Sequence, residues 1–156
     1  MILKDESDTA RLGARLAAVS RPGDVITLSG PLGVGKTALA RGFIGALGHR
    51  GDVPSPSFAI VQPYEDLDPP VWHVDLYRIE RPSEADELGL DSAADAVLLV
   101  EWPERLGANV WPEALALSLE FGDADERILT AKVPPSWEGR WPPKCPSADE
   151  AARPCT

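Results

Sequence analysis

The run Gly30-Pro-Leu-Gly33-Val-Gly35-Lys36-Thr37 has the spacing G-x-x-x-x-G-K-[ST], the spacing of a backbone cradle for phosphate. Glycines allow the backbone angles and close approach with which successive N–H groups surround an oxyanion. A helix starting at Lys36 adds the positive end of its dipole. Lys36 is placed to bridge β- and γ-phosphates and to stabilise charge in phosphoryl transfer. The Thr37 hydroxyl suits Mg2+, a hard cation that takes oxygen ligands.

Hydrolysis also requires carboxylates that hold the metal and order the attacking water. Two acids close apolar runs: Asp75 ends Val71-Trp-His-Val-Asp75, and Glu101 ends Ala96-Val-Leu-Leu-Val-Glu101, which resembles a Walker B strand with Glu as its acid. Ligands of open α/β sheets sit beyond the carboxyl ends of the strands. Both acids therefore face the phosphates if their strands run parallel to the strand before the glycine-rich loop. His73 shares a strand face with Asp75 and reads either as a packed, hydrogen-bonded core residue or as a catalytic one. Trp102 either packs on an adenine ring or fills the core. Arg78 and Arg105 read as contacts to phosphate or a partner, or as surface ion pairs. Pro54-Ser-Pro-Ser-Phe58 lies where many P-loop proteins carry a phosphate-sensing loop, with a plain connection as the alternative.

The elements that must position these groups follow from periodicity. Leu12, Leu16 and Val19 recur at helical spacing behind the candidate caps Ser7 and Thr9, which predicts an amphipathic helix over roughly residues 8–20. Val25 to Ser29 reads as a buried strand feeding the loop, and Lys36 to Leu47 as the helix after it, closed by Gly48. Phe58 to Gln62 and Val71 to Asp75 read as strands around the acidic turn Glu65–Pro70. Ser83-Glu-Ala-Asp86 looks like a helix start with a capping box. Ala96 to Val100 is another buried strand. Leu115 to Phe121 and Arg127 to Val133 form a hairpin across Gly122–Glu126. The expected fold is α/β: a single P-loop NTPase-like domain with a mixed parallel and antiparallel sheet flanked by helices. The domain is expected to span 1–133. Pro134, Pro135, Pro142, Pro143, Pro146 and Pro154 punctuate an irregular tail over 134–156, its last ten or so residues mobile.

Composition narrows the function classes. A length of 156 residues with 44% hydrophobic content fits one domain with a sizeable core. A net charge of −10 argues against a broad basic face for nucleic acid, so positive potential must be concentrated at the loop. No apolar run approaches the roughly 18 residues of a membrane span, and the N-terminus lacks a signal-peptide pattern, which points to the cytoplasm. Cys145 and Cys155 read as free thiols rather than a disulfide or zinc pair.

Four ordered motifs carry a more specific likeness: Leu32-Gly-Val-Gly-Lys-Thr37, Pro54-Ser-Pro-Ser-Phe58, His73-Val-Asp-Leu-Tyr-Arg78 and Glu101-Trp-Pro-Glu-Arg105, with Glu84 to Leu90 in support. Over about residues 5–133 the chain resembles the TsaE (YjeE) family, the ATPases of bacterial tRNA threonylcarbamoyladenosine synthesis. The resemblance implies ATP and Mg2+ as cofactors and slow hydrolysis that resets a complex with TsaD and TsaB. Those two proteins attach threonylcarbamoyl to adenosine 37 of ANN-decoding tRNAs, so tRNA is met only indirectly and no membrane is involved. It further implies Thr37 and Glu101 at the metal, Asp75 as a second acid needed for hydrolysis and also counted with the metal, and Lys36 as catalytic. The implied nucleotide contacts are Thr9, Gly30, Leu32, Gly33, Val34, Gly35, Lys36, Thr37, Ala38 and Trp102. Ser57 stands where the family's loop usually has Thr and keeps the hydroxyl. The alternative function is a small P-loop metabolite kinase, for which neither an acceptor site nor an Arg-rich lid is evident. A GTPase is disfavoured because no Asn-Lys-x-Asp sequence occurs.

Overall fold

A computed structural model describes residues 1–107 and 110–144. Seven strands form one sheet: β1 (Ile2–Leu3), β2 (Val25–Ser29), β3 (Val61–Tyr64), β4 (Val71–Asp75), β5 (Val97–Glu101), β6 (Leu115–Phe121) and β7 (Arg127–Lys132). Their spatial order is β1-β7-β6-β2-β5-β4-β3. The central strands β4, β5, β2 and β6 are mutually parallel, while β3, β7 and β1 pair antiparallel at the edges. This is the expected mixed α/β sheet, and the condition on the two acids holds: β4 and β5 run with β2.

Strand β5 is buried at all five positions, as a strand covered on both faces must be. Its alternation divides the core. Val97 and Leu99 join the cluster under helices α1 (Glu6–Val19) and α2 (Lys36–Ala46). Leu98 and Val100 join a second cluster, covered by the segment that carries Leu76, Ile79 and Ala93.

Several local expectations need correction. Helix α1 starts earlier than expected because Asp5, not Ser7 or Thr9, caps it and accepts from the Asp8 N–H at 2.9 Å. The expected strand Phe58–Gln62 begins only at Val61. Ile60 takes a left-handed φ of 68° and its N–H bonds the Pro56 carbonyl, so residues 57–59 form a turn that Ile60 closes. Pro63 is tolerated because β3 is an edge strand. The expected helix at Ser83 is a 3-10 segment, Pro82–Leu88, with no side-chain cap and no buried residue. Without an apolar face to bury, nothing converts it into an α-helix. Strand β1 was not anticipated; two residues are too short for a periodicity to register.

The expected domain boundary at Val133 falls inside the packed unit. Residues Pro135–Trp137 make a 3-10 turn that drives Trp137 into the main core, where it is fully buried. Arg140 lies over the Trp137 ring at 4.0 Å and pairs with Asp24 at 2.7 Å, and it also donates to the Val19 carbonyl. The expected mobility of the last ten residues, and both cysteines, lie outside the described residues. Among the described residues, no helix is long and apolar enough to cross a membrane.

Candidate functional site

The loop after β2 wraps the N-terminus of α2 because its glycines occupy positions closed to other residues. Gly30 has φ +144°, and a Cβ there would sit 2.4 Å from the Leu119 carbonyl oxygen on β6. Gly35, at the N-cap of α2, has φ +119°. Leu32 at the loop tip is 72% exposed, whereas Val34 is buried and pins the loop to the core.

Lys36 points back into this loop. Its Nζ donates to the carbonyls of Gly30 and Pro31, the latter at 3.2 Å, and lies 3.9 Å from the centre of the Trp102 ring. Burial pushes its pKa below the ordinary lysine value, against the opposing pull of Glu101, Glu104 and Asp75. An anionic phosphate entering the loop offers this buried cation a stronger partner than either carbonyl.

The two acids occupy adjacent register positions, Asp75 beside Glu101, at the carboxyl ends of neighbouring parallel strands. Both are nearly fully buried. Thr37 Oγ1 lies 3.1 and 3.2 Å from the two Glu101 oxygens, and His73 Nε2 lies 2.7 Å from Glu101 Oε2. Asp75 accepts from Ser55 Oγ and from the Tyr77 N–H, each at 2.9 Å. The segment Pro54–Phe58 is therefore hydrogen-bonded to one of the acids through Ser55.

Trp102 adopts a left-handed backbone (φ 59°, ψ 48°), which turns the chain immediately after Glu101. Its ring packs on Lys36 and on Tyr77, whose centroid is 5.0 Å away. Arg105 lies over Tyr77 and Arg78 over Phe58, so both arginines stack on aromatic rings. Phe58 is 83% exposed.

One cleft joins these groups. It is lined by Thr9, Leu32 to Ala38, Ser55, Asp75, Glu101 and Trp102, and also by Glu6, Arg41 and Arg127. Gly30 is the sequence-derived loop residue outside that lining; it acts through the turn and through its bond to Lys36. Glu6, Arg41 and Arg127 were missed by sequence reasoning. Arg127 opens β7, and its Nε donates to the Val34 carbonyl at 2.9 Å. The hairpin turn before β7 lies at the loop end of the sheet only because β6 runs parallel to β2, and nothing local to Arg127 announces that.

The donor set suits Mg2+. Thr37 and Glu101 offer hard oxygen ligands, and among the described residues no group of three or more His, Cys, Asp or Glu converges as an all-protein cage. Mg2+ typically takes one or two carboxylates and completes its shell with substrate phosphates and water.

Comparison with known proteins identifies the family and the fold. The family model described as "Threonylcarbamoyl adenosine biosynthesis protein TsaE" matches residues 3–129. The tRNA threonylcarbamoyladenosine biosynthesis protein TsaE of Bacillus subtilis is 38% identical over 125 residues, covering 79% of this chain and 78% of that protein. The protein of the same name from Streptomyces coelicolor is 41% identical over 128 residues, covering 78% and 86%. The crystal structure of B. subtilis YdiB superposes with a TM-score of 0.75 at 32% identity, covering 89% of this chain and 88% of that one.

Proposed function

Since the chain belongs to the TsaE family, we propose that it is a Mg2+-dependent ATPase serving threonylcarbamoyladenosine modification at position 37 of ANN-reading tRNAs, in the cytoplasm and together with TsaD and TsaB. The observation that carries the ATPase reading is the convergence of Lys36, Thr37, Asp75 and Glu101 at one end of three parallel strands. In this reading the loop N–H groups bind the ATP phosphates, and Lys36 exchanges its carbonyl partners for β- and γ-phosphate oxygens. Thr37 and Glu101 would hold Mg2+, which would supply charge neutralisation for the bound phosphates. Asp75, which accepts hydrogen bonds from Ser55 and the Tyr77 N–H, keeps acceptor capacity with which to orient the attacking water.

A net charge of −10 argues against a broad positive face for tRNA, so in this reading tRNA is met through the partners. The exposed Phe58 with Arg78 stacked on it provides an aromatic and cationic contact for them, next to the loop that holds Asp75. The test is threonylcarbamoyl-tRNA synthesis over several turnovers with TsaD and TsaB, with and without this protein, and with Lys36→Ala. Repeated turnover should require the unsubstituted chain. Equal multiple-turnover yield without it, or with Lys36→Ala, overturns the proposal.

A further inference from the structure

Glu101 is held from two sides, and only one of them belongs to the phosphate loop. On the α2 side the Thr37 hydroxyl lies within hydrogen-bond reach of both its oxygens. On the β4 side His73 Nε2 meets Oε2 at 2.7 Å, with side-chain exposures of 0% for His73 and 3% for Glu101. Resting on the ATPase reading above, we infer that His73 is the positioning residue for Glu101: its imidazole N–H fixes the carboxylate in the orientation that presents it to Mg2+.

Three observations carry this. First, the contact is directional. His73 Nδ1 is buried with no hydrogen-bond partner among the described residues, while Nε2 faces a carboxylate. A proton on Nδ1 would have no acceptor, and a bare Nε2 would set a lone pair against the carboxylate. The tautomer is therefore Nε2–H, with His73 as donor. Second, packing alone does not call for an imidazole here. The slot lies between Val71 and Asp75 on one face of β4, and an apolar residue would fill it without leaving a buried ring nitrogen unmet. Third, the hydrogen bond ties neighbouring parallel strands at the level of the site. His73 is in register with Leu99, two residues before Glu101. The carboxylate is thereby locked to the sheet and does not depend on Thr37, whose hydroxyl must turn to the metal when the site fills. Partners that orient a ligating carboxylate typically alter metal affinity or activity by about 10–100-fold when removed.

The test uses Mn2+ as a spectroscopic probe. Its binding to the ATP-loaded full chain is measured by electron paramagnetic resonance, and ATP binding in EDTA by calorimetry. His73→Leu fills the slot without a donor; His73→Gln restores an N–H at a comparable reach. The expected result is Mn2+ affinity about 10–100-fold weaker in His73→Leu, within about threefold of the parent in His73→Gln, and unchanged ATP affinity in EDTA for both. If His73→Leu does not fold, His73→Asn, too short to reach Oε2, takes its place against His73→Gln. Mn2+ affinity unaltered by loss of the donor, or lost equally in His73→Gln, overturns the inference. Failure of the unsubstituted protein to bind Mn2+ with ATP would instead remove the ATPase reading and leave a distinct signature.

Discussion

Replacing Trp137 with alanine should lower the stability of the protein by about 3 kcal/mol. Large aromatic residues cut to alanine in a packed core cost about 3–5 kcal/mol, from lost burial and the cavity left behind. Trp137 is fully buried and joins the cluster that contains α1, α2 and the central strands. Its indole N–H has no hydrogen-bond partner among the described residues, so removing it relieves part of the cost, which brings the estimate to the low end of that range. Arg140 would lose the ring beneath it but keep Asp24 and the carbonyls of Val19 and Ser136. For a chain of this size about 3 kcal/mol corresponds to a Tm lower by about 6–12 °C. Thermal unfolding followed by circular dichroism measures this directly. Trp137→Phe, which keeps a ring and removes the orphan N–H, should stay within about 1 kcal/mol of the parent. A chain ending at Val133 should lose at least as much as Trp137→Ala. If Trp137→Ala melts within about 2 °C of the parent, the segment is not part of the core and the packing argument fails.

Two further outcomes are expected. Arg127→Ala should weaken ATP binding about tenfold, the equivalent of about 1.4 kcal/mol, by releasing the Val34 carbonyl and removing a cation from the cleft; Arg127→Lys should recover only part of this because lysine lacks the planar fork. Calorimetric affinity unchanged in Arg127→Ala would sink that role. The depressed Lys36 pKa has a defined linkage sign: between that pKa and the ordinary lysine value the unfolded chain binds more protons, so stability rises with pH. Below the depressed pKa the folded state carries the full penalty. The stability of the empty parent relative to Lys36→Met should therefore climb as pH rises through that window and stay flat below it. Chemical denaturation at a series of pH values reads this, and parallel curves would show that burial does not perturb Lys36.

The strand–loop–helix around Lys36 was legible because its signal is local. Eight consecutive residues supply the N–H groups, the cation and the hydroxyl, and their spacing alone implies a strand before and a helix after. Asp75 and Glu101 were legible for a related reason, since each closes an apolar run and parallel strands present their carboxyl ends together. Other features had no local signal. Ile60 turns left-handed because its N–H and carbonyl find partners in Pro56 and Asp75, so a β-rich string became a turn. The segment after Pro82 has no face to bury and stays 3-10.

The sequence by itself determined the strand, glycine-rich loop and helix around Lys36 and the two acids at the ends of apolar runs, because motif spacing and apolar periodicity act over a few residues. Only the tertiary structure decided that Arg127 reaches the loop across 93 residues, that His73 faces Glu101, and that a Pro-rich tail closes the core through Trp137. Those contacts depend on strand order and register, which are set by the whole chain burying its apolar surface at once.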